Sequence, residues 1–125
     1  GFEVADKAVT GDLAGALESL AWAQHHGTPR VLLADALAEK VHAIARVRAY
    51  GPGDKYSIAS ELGMSPGQVG RVQGQARAWD ASSIGRAVLV VAELNGAVKG
   101  QAADPDYALE HAVSTVAQLR PRRGR

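Results

Sequence analysis

The stretch Tyr56-Ser-Ile-Ala-Ser-Glu-Leu-Gly-Met-Ser-Pro-Gly-Gln-Val-Gly-Arg-Val-Gln-Gly-Gln-Ala-Arg-Ala-Trp79 decides how the fold is read. Ala59, Gly63 and Val69 stand where a helix-turn-helix takes a small residue, a turn glycine and a buried aliphatic. Ile58, Leu62, Met64 and Val72 supply the apolar positions between and after them. Ser65-Pro66-x-Gln68 predicts an N-cap, a first-turn proline and a capping-box glutamine. On its own, the segment predicts two short helices about a glycine turn. The second would present Gln68, Arg71, Gln75 and Arg77 as DNA-contact candidates, because glutamine and arginine read base edges. Gly70 and Gly74 weaken that helix by roughly 1 kcal/mol each relative to alanine. Close approach of another backbone would offset the loss.

The flanks are helical on both sides. Residues 2–9 form a short helix with Val4, Ala5, Ala8 and Val9 on one face. Asp12 caps the next helix, in which Leu13, Ala16, Leu17, Leu20 and Ala21 recur at helical spacing up to a stop at Gly27. Thr28-Pro29 predicts a cap and a first-turn proline. The helix that follows, to about Ala49, is apolar on most sides and so central. Gly51-Pro-Gly-Asp54 is a loop by composition. After Trp79, Ile84, Ala87, Val88, Val91, Leu94 and Val98 mark a long helix ended by Gly100. Asp104-Pro105 opens a last one, with Ala108, Leu109, Ala112, Val113, Val116 and Leu119 as its stripe. The prediction is an all-α domain over 1–119, a bundle of six or seven helices with a helix-turn-helix-like corner at 56–79. Residues 120–125 are read as a basic, disordered tail.

Composition narrows the function classes. At 125 residues, 46% hydrophobic but only 5% aromatic, the chain fits one core built from Ala, Val and Leu. No apolar run approaches the ~18 residues of a membrane span, and no signal peptide is visible, so a cytoplasmic setting without membrane is expected. A start at Gly1 instead of Met suggests a piece of a larger parent. There is no cysteine, which excludes disulfides and thiolate metal sites. Removing Arg120, Arg122, Arg123 and Arg125 from the fourteen Lys and Arg leaves ten against thirteen Asp and Glu, a net of −3. A domain that grips DNA by itself has a basic face. Only residues 40–86 are locally basic, which allows weak phosphate contact.

No catalytic constellation emerges, and no cofactor is expected. His25 and His26 are adjacent and point about 100° apart on a helix, which suits a helix C-terminus better than chelation. Asp35, Glu39 and His42 share a face, but di-iron carboxylate bundles need a second Glu-x-x-His pair, so a solvated polar face is the better reading and no metal is expected. Gly51-Pro-Gly-Asp-Lys55 lacks the spacing of a phosphate-binding loop and follows a helix instead of a strand. Trp22 and Trp79 are either interface anchors or core, with core preferred for both.

The whole chain, not only its middle, resembles the C-terminal domain of the delta subunit of the bacterial DNA polymerase III clamp loader. The similar segments come in that family's order over residues 2–119. They are Val4-Ala-Asp-Lys-Ala-Val-x-Gly-Asp12 with Ala16-Leu17, then Leu33-x-x-Ala-Leu37, then Glu61-Leu-Gly-Met-x-Pro66 with Gln75-Ala-Arg-x-Trp79. Val91-Ala-Glu-Leu-Asn-x-x-Val-Lys-Gly100 and Asp106-Tyr-Ala-Leu-Glu110 complete the set. Many members carry an acidic residue where Asn95 stands, so a helix-face salt bridge to Lys99 is not expected here.

The resemblance implies a collar domain without enzymatic activity of its own. Two ATPase-related domains of the parent, which is an accessory subunit of a DNA-directed DNA polymerase holoenzyme, would grip and open the sliding clamp. This domain would join the delta-prime and tau/gamma subunits. Trp22, Gly70, Gly74, Trp79, Lys99 and Tyr107 are the candidates for partner interface or collar packing. A helix-turn-helix DNA-binding domain of a transcriptional regulator is the alternative.

Overall fold

In the computed structural model, which describes residues 2–122, the chain is all-α. Seven helices follow in order: α1 Phe2–Val9, α2 Leu13–His25, α3 Arg30–Tyr50, α4 Lys55–Leu62, α5 Pro66–Ala76, α6 Ala81–Gly96 and α7 Pro105–Leu119. A π-helical turn, Ala97–Gln101, extends α6. No strand occurs among the described residues.

Helix starts are fixed by short polar side chains that take backbone N–H groups left free in a first turn. Asp12 accepts from Gly15 N at 2.9 Å, Asp54 from Tyr56 N and Ser57 N at 3.0 Å, and Asp104 from Tyr107 N at 3.0 Å. Asp80 and Ser83 cap each other reciprocally at the head of α6. Two details differ from expectation. Pro29 itself occupies the N-cap of α3, with no side-chain cap from Thr28, because its extended ψ of 136° holds it outside the helix. Ser65 caps α5 through Gln68 N at 3.2 Å, but the Gln68 side chain does not return the bond, so the cap is single.

The core lies around α3, which packs on α1, α5, α6 and α7. Leu33, Leu37, Val41 and Ile44 form its buried stripe, and Ala34, Ala43 and Val47 widen it. A helix touched on that many sides must be apolar over more than one stripe. Ile84, Ala87, Val91 and Leu94 of α6 and Leu109, Ala112, Val113 and Val116 of α7 face it. Asp35, Glu39 and His42 lie exposed on the outer side of α3.

Trp79 closes the α5–α6 junction. It is 3% exposed, and its indole Nε1 donates to Val9 O at 2.9 Å, tying the corner to α1. Arg120, assigned from sequence to the tail, is half-buried, with its side chain lying over Gly11. Residues 123–125 of that tail lie outside the described residues.

The segment Ala81–Gly100 is long and apolar enough to cross a membrane by length and composition, although charged residues interrupt it. It packs against α3 and α7, yet most of its apolar window is not buried. Val91, Leu94 and Val98 are buried, Val88 and Val90 pack partly buried against the core, and Leu89 is the large apolar side chain of this segment that stands exposed among the described residues.

Candidate functional site

Three surfaces hold the sequence-predicted residues: the α4–α5 corner, the end where α2 meets α3, and the α6–α7 face.

The corner is a real helix–turn–helix. Gly63 turns it with φ +69°, which side chains rarely adopt, and Met64 N donates to Ala59 O at 3.0 Å. Ile58, Ala59, Val69 and Val72 are buried beneath it. Of the DNA-contact candidates, Gln68, Arg71 and Arg77 are exposed. Gln75 is turned inward. Its Nε2 donates to Asp6 Oδ1 at 3.0 Å, and Lys40 Nζ sits 3.0 Å from the same oxygen. Burial pushes the Asp6 carboxyl up, but the bonds from Gln75 and Lys40, with the nearby charges of Lys40 and Arg71, outweigh it and hold it below its ordinary value. Gln73 donates to Gly53 O at 3.1 Å, Arg46 to Leu62 O at 2.6 Å and Arg48 to Trp79 O at 3.0 Å. Much of the corner's polar chemistry therefore holds the corner together.

Gly70 and Gly74 do not serve close packing within the chain. A Cβ at Gly70 would meet only the Lys55 side chain at 3.8 Å, and at Gly74 nothing within 4 Å. Among the described residues no backbone of another segment comes within 4 Å of either Cβ position.

The second surface corrects the core reading of Trp22. The indole is 63% exposed and stacks on His26 at 3.9 Å. Trp22 lies in the last turns of α2, where His26 Nδ1 also meets Trp22 O at 2.8 Å. Leu32, 58% exposed, and Val31 stand at the start of α3. Arg30 binds Asp106 at 2.8 Å and so brings the start of α7 to the same end, with Tyr107 64% exposed beside it. The Arg30 hydrogen bond and charge lower the Asp106 carboxyl against a weaker opposing effect of burial. Val31 and Leu32 correct the reading of this helix as apolar on most sides and so central, because at its first turn they face solvent.

The third surface is a groove of about 350 Å³ between α6, the π turn and α7, lined by Val90, Leu94, Ala97, Ala108 and Ala112 among others. Leu89 stands 67% exposed on α6. Four consecutive apolar residues on a helix cannot all face one core, and of Val88-Leu89-Val90-Val91 the one left exposed is Leu89, outside the groove lining. Lys99 is exposed in the π turn, and Gly100 completes that turn at φ +101°.

Among the described residues no group of His, Asp and Glu is placed to hold a metal ion. Comparison of the chain with protein-family models, with curated proteins and with solved structures finds no match.

Proposed function

We propose that this chain is a subunit-assembly domain, the collar domain of a clamp-loader delta subunit. The observation that carries the assembly reading is uncovered apolar surface in two places. Trp22, Val31 and Leu32 are exposed where α2 gives way to α3, and Leu89 of α6 and Tyr107 of α7 are exposed on the other pair of helices. Apolar patches of that kind mark protein–protein contact sites. The particular family is supported by the ordered resemblance along residues 2–119. In this reading the partners are the delta-prime and tau/gamma subunits, and the domain acts in DNA replication by holding the loader together. Clamp opening and ATP chemistry belong to other domains. Weak phosphate contact by the basic segment 40–86 is compatible with that role.

The test mixes the purified domain with delta-prime and tau/gamma C-terminal domains in sedimentation velocity. A joint species at tens of micromolar, on the order of a weak interface, is the expected result. No association at that concentration sinks the reading.

One observation favours the second reading, DNA binding by the corner: Gln68 and Arg71 are exposed on α5. That reading expects sequence-selective duplex binding abolished by Arg71→Ala. Binding that is sequence-independent and steeply salt-sensitive counts against it.

A further inference from the structure

We propose that His26 is a proton-operated clasp on Trp22, one that decides how freely this exposed indole meets a partner. The clasp stands on the geometry of the chain alone, while its effect on association rests on the assembly reading.

His26 closes α2 and holds Trp22 twice. The two residues stand four apart, the spacing that sets side chains on one helix face. The imidazole lies on the indole with ring centroids 3.9 Å apart and planes 24° apart. Its Nδ1 lies 2.8 Å from Trp22 O, a carbonyl in the last turn of α2. A carbonyl only accepts, so Nδ1 carries the hydrogen and the neutral ring is the Nδ1–H tautomer. The next proton therefore goes to Nε2, and the bond to Trp22 O persists in both states. That proton strengthens both contacts. The stack becomes a cation over an indole face, and the bond becomes charge-assisted at the negative end of the α2 dipole.

His26 forms no ion pair among the described residues, whose salt bridges are Arg30–Asp106 and Lys40–Asp6. The titratable group in contact with it is His25, whose ring meets it edge-on at 5.3 Å. Helices α1 and α7 pack on α2. On α1, Lys7 bonds to Ser19 and Asp6 pairs with Lys40. On α7, Asp106 is taken by Arg30, and His111 stacks on Tyr107. Glu3, Glu18 and Glu110 are exposed on α1, α2 and α7, without a salt bridge among the described residues. A partner that covers the indole must displace the imidazole or bury it. The neutral ring yields at little cost. The imidazolium grips the indole and brings a charge that has to be desolvated. Acid therefore closes the Trp22 contact, and neutral pH leaves it open.

The experiment follows the isotope-labelled chain alone, by two-bond proton–nitrogen ring correlations and by tryptophan emission, from about pH 8 to about pH 5, where imidazole takes up its proton. At the alkaline end His26 is expected as the Nδ1–H tautomer. Emission is expected to fall on acidification, because imidazolium quenches a stacked indole far more than the neutral ring does. Buried Trp79 adds a background common to all variants. His26→Gln is expected to remove most of the fall and His25→Gln to keep most of it, both at exposed positions. An Nε2–H tautomer, or a fall of equal size in His26→Gln, overturns the clasp. Sedimentation with the partner domains of the assembly test then reads the consequence. Association is expected to be roughly two- to fivefold weaker at the acid end, the size of an exposed cation–π contact, and His26→Gln to lose that difference. A titrating clasp with association equal at both ends overturns the gating and leaves the assembly reading standing. No association at either end sinks the assembly reading and the gating with it, while the clasp is decided by the ring and emission data.

Discussion

The Trp79 corner and the Trp22 end are built from similar residues and treat them oppositely. At the corner the indole is buried and donates to Val9 O, and Gln73, Gln75, Arg46 and Arg48 bond to the chain itself. At the other end Trp22 and Leu32 face solvent, as do Tyr107 and the Arg30–Asp106 pair that links the starts of α3 and α7. A surface that bonds inward has little left to offer a partner. A surface that leaves large apolar groups exposed has not found its cover within the chain. This contrast adds the α2–α3 end and the α6–α7 groove to the candidate interaction sites beside the helix-turn-helix, where Gln68, Arg71 and Arg77 stay exposed.

The sharpest way to break the contrast is Trp79→Ala. If the corner is held by burial of this ring, the substitution costs about 3–5 kcal/mol, as for other buried aromatic truncations. Urea unfolding followed by circular dichroism measures it. A loss below ~1 kcal/mol would mean that α1 and the corner do not depend on each other.

Asp6→Asn tests the polar clasp. Lys40 has a side chain only 14% exposed, and removing its carboxylate partner leaves it poorly compensated beside Gln75. The expected loss is about 1–3 kcal/mol near neutral pH. The sign with pH follows from the lowered folded-state value of Asp6. Its contribution is fully present above the ordinary carboxylate value of 3.8 and is lost as pH falls through the depressed folded value. The difference between wild type and variant therefore shrinks in acid. A gap that stays constant down to pH ~3 contradicts the clasp.

Local structure was legible in the sequence for local reasons. Asp12, Asp54, Asp80 and Asp104 each precede a helix and each caps it, and the periodicity of α7 matches its buried face. The turn at Gly63 and the stop at Gly100 follow from a backbone conformation that favours glycine. Trp79 is core as expected, but the place of Trp22 was less legible. Trp22 sits two residues, or about 200°, past Leu20 on the buried stripe of α2, so the signal was present but outweighed by the rule that scarce aromatics go inside. The groove was not legible at all, because it exists only where α6, the π turn and α7 come together. Nor could spacing show that Gln75 faces Asp6, a contact between residues 69 apart.

Gly74→Ala separates a local requirement from a partner's. Among the described residues nothing beyond its own helix backbone lies within 4 Å of the new Cβ, and the glycine is helical. Stability should rise by about 0.5–1 kcal/mol, whereas Gly63→Ala, at φ +69°, should lower it. Thermal melts of the two variants give the pair of signs. A stabilised Gly74→Ala that also loses partner association would show that the glycine serves a neighbour's approach.

Trp22→Ser carries the smallest effect on stability and returns the contrast to function. The ring is mostly exposed and touches chiefly His26, so unfolding free energy should change by no more than about 0.5 kcal/mol. Its effect on association should be far larger, because exposed tryptophans that become central in an interface are frequent hot spots, worth on the order of tenfold or more in affinity. The two measurements together decide the point. If stability falls by several kcal/mol, Trp22 belongs to the fold after all. If neither stability nor association moves, the α2–α3 end is ordinary surface, and the groove along α6 is left as the apolar face on which assembly would have to rest.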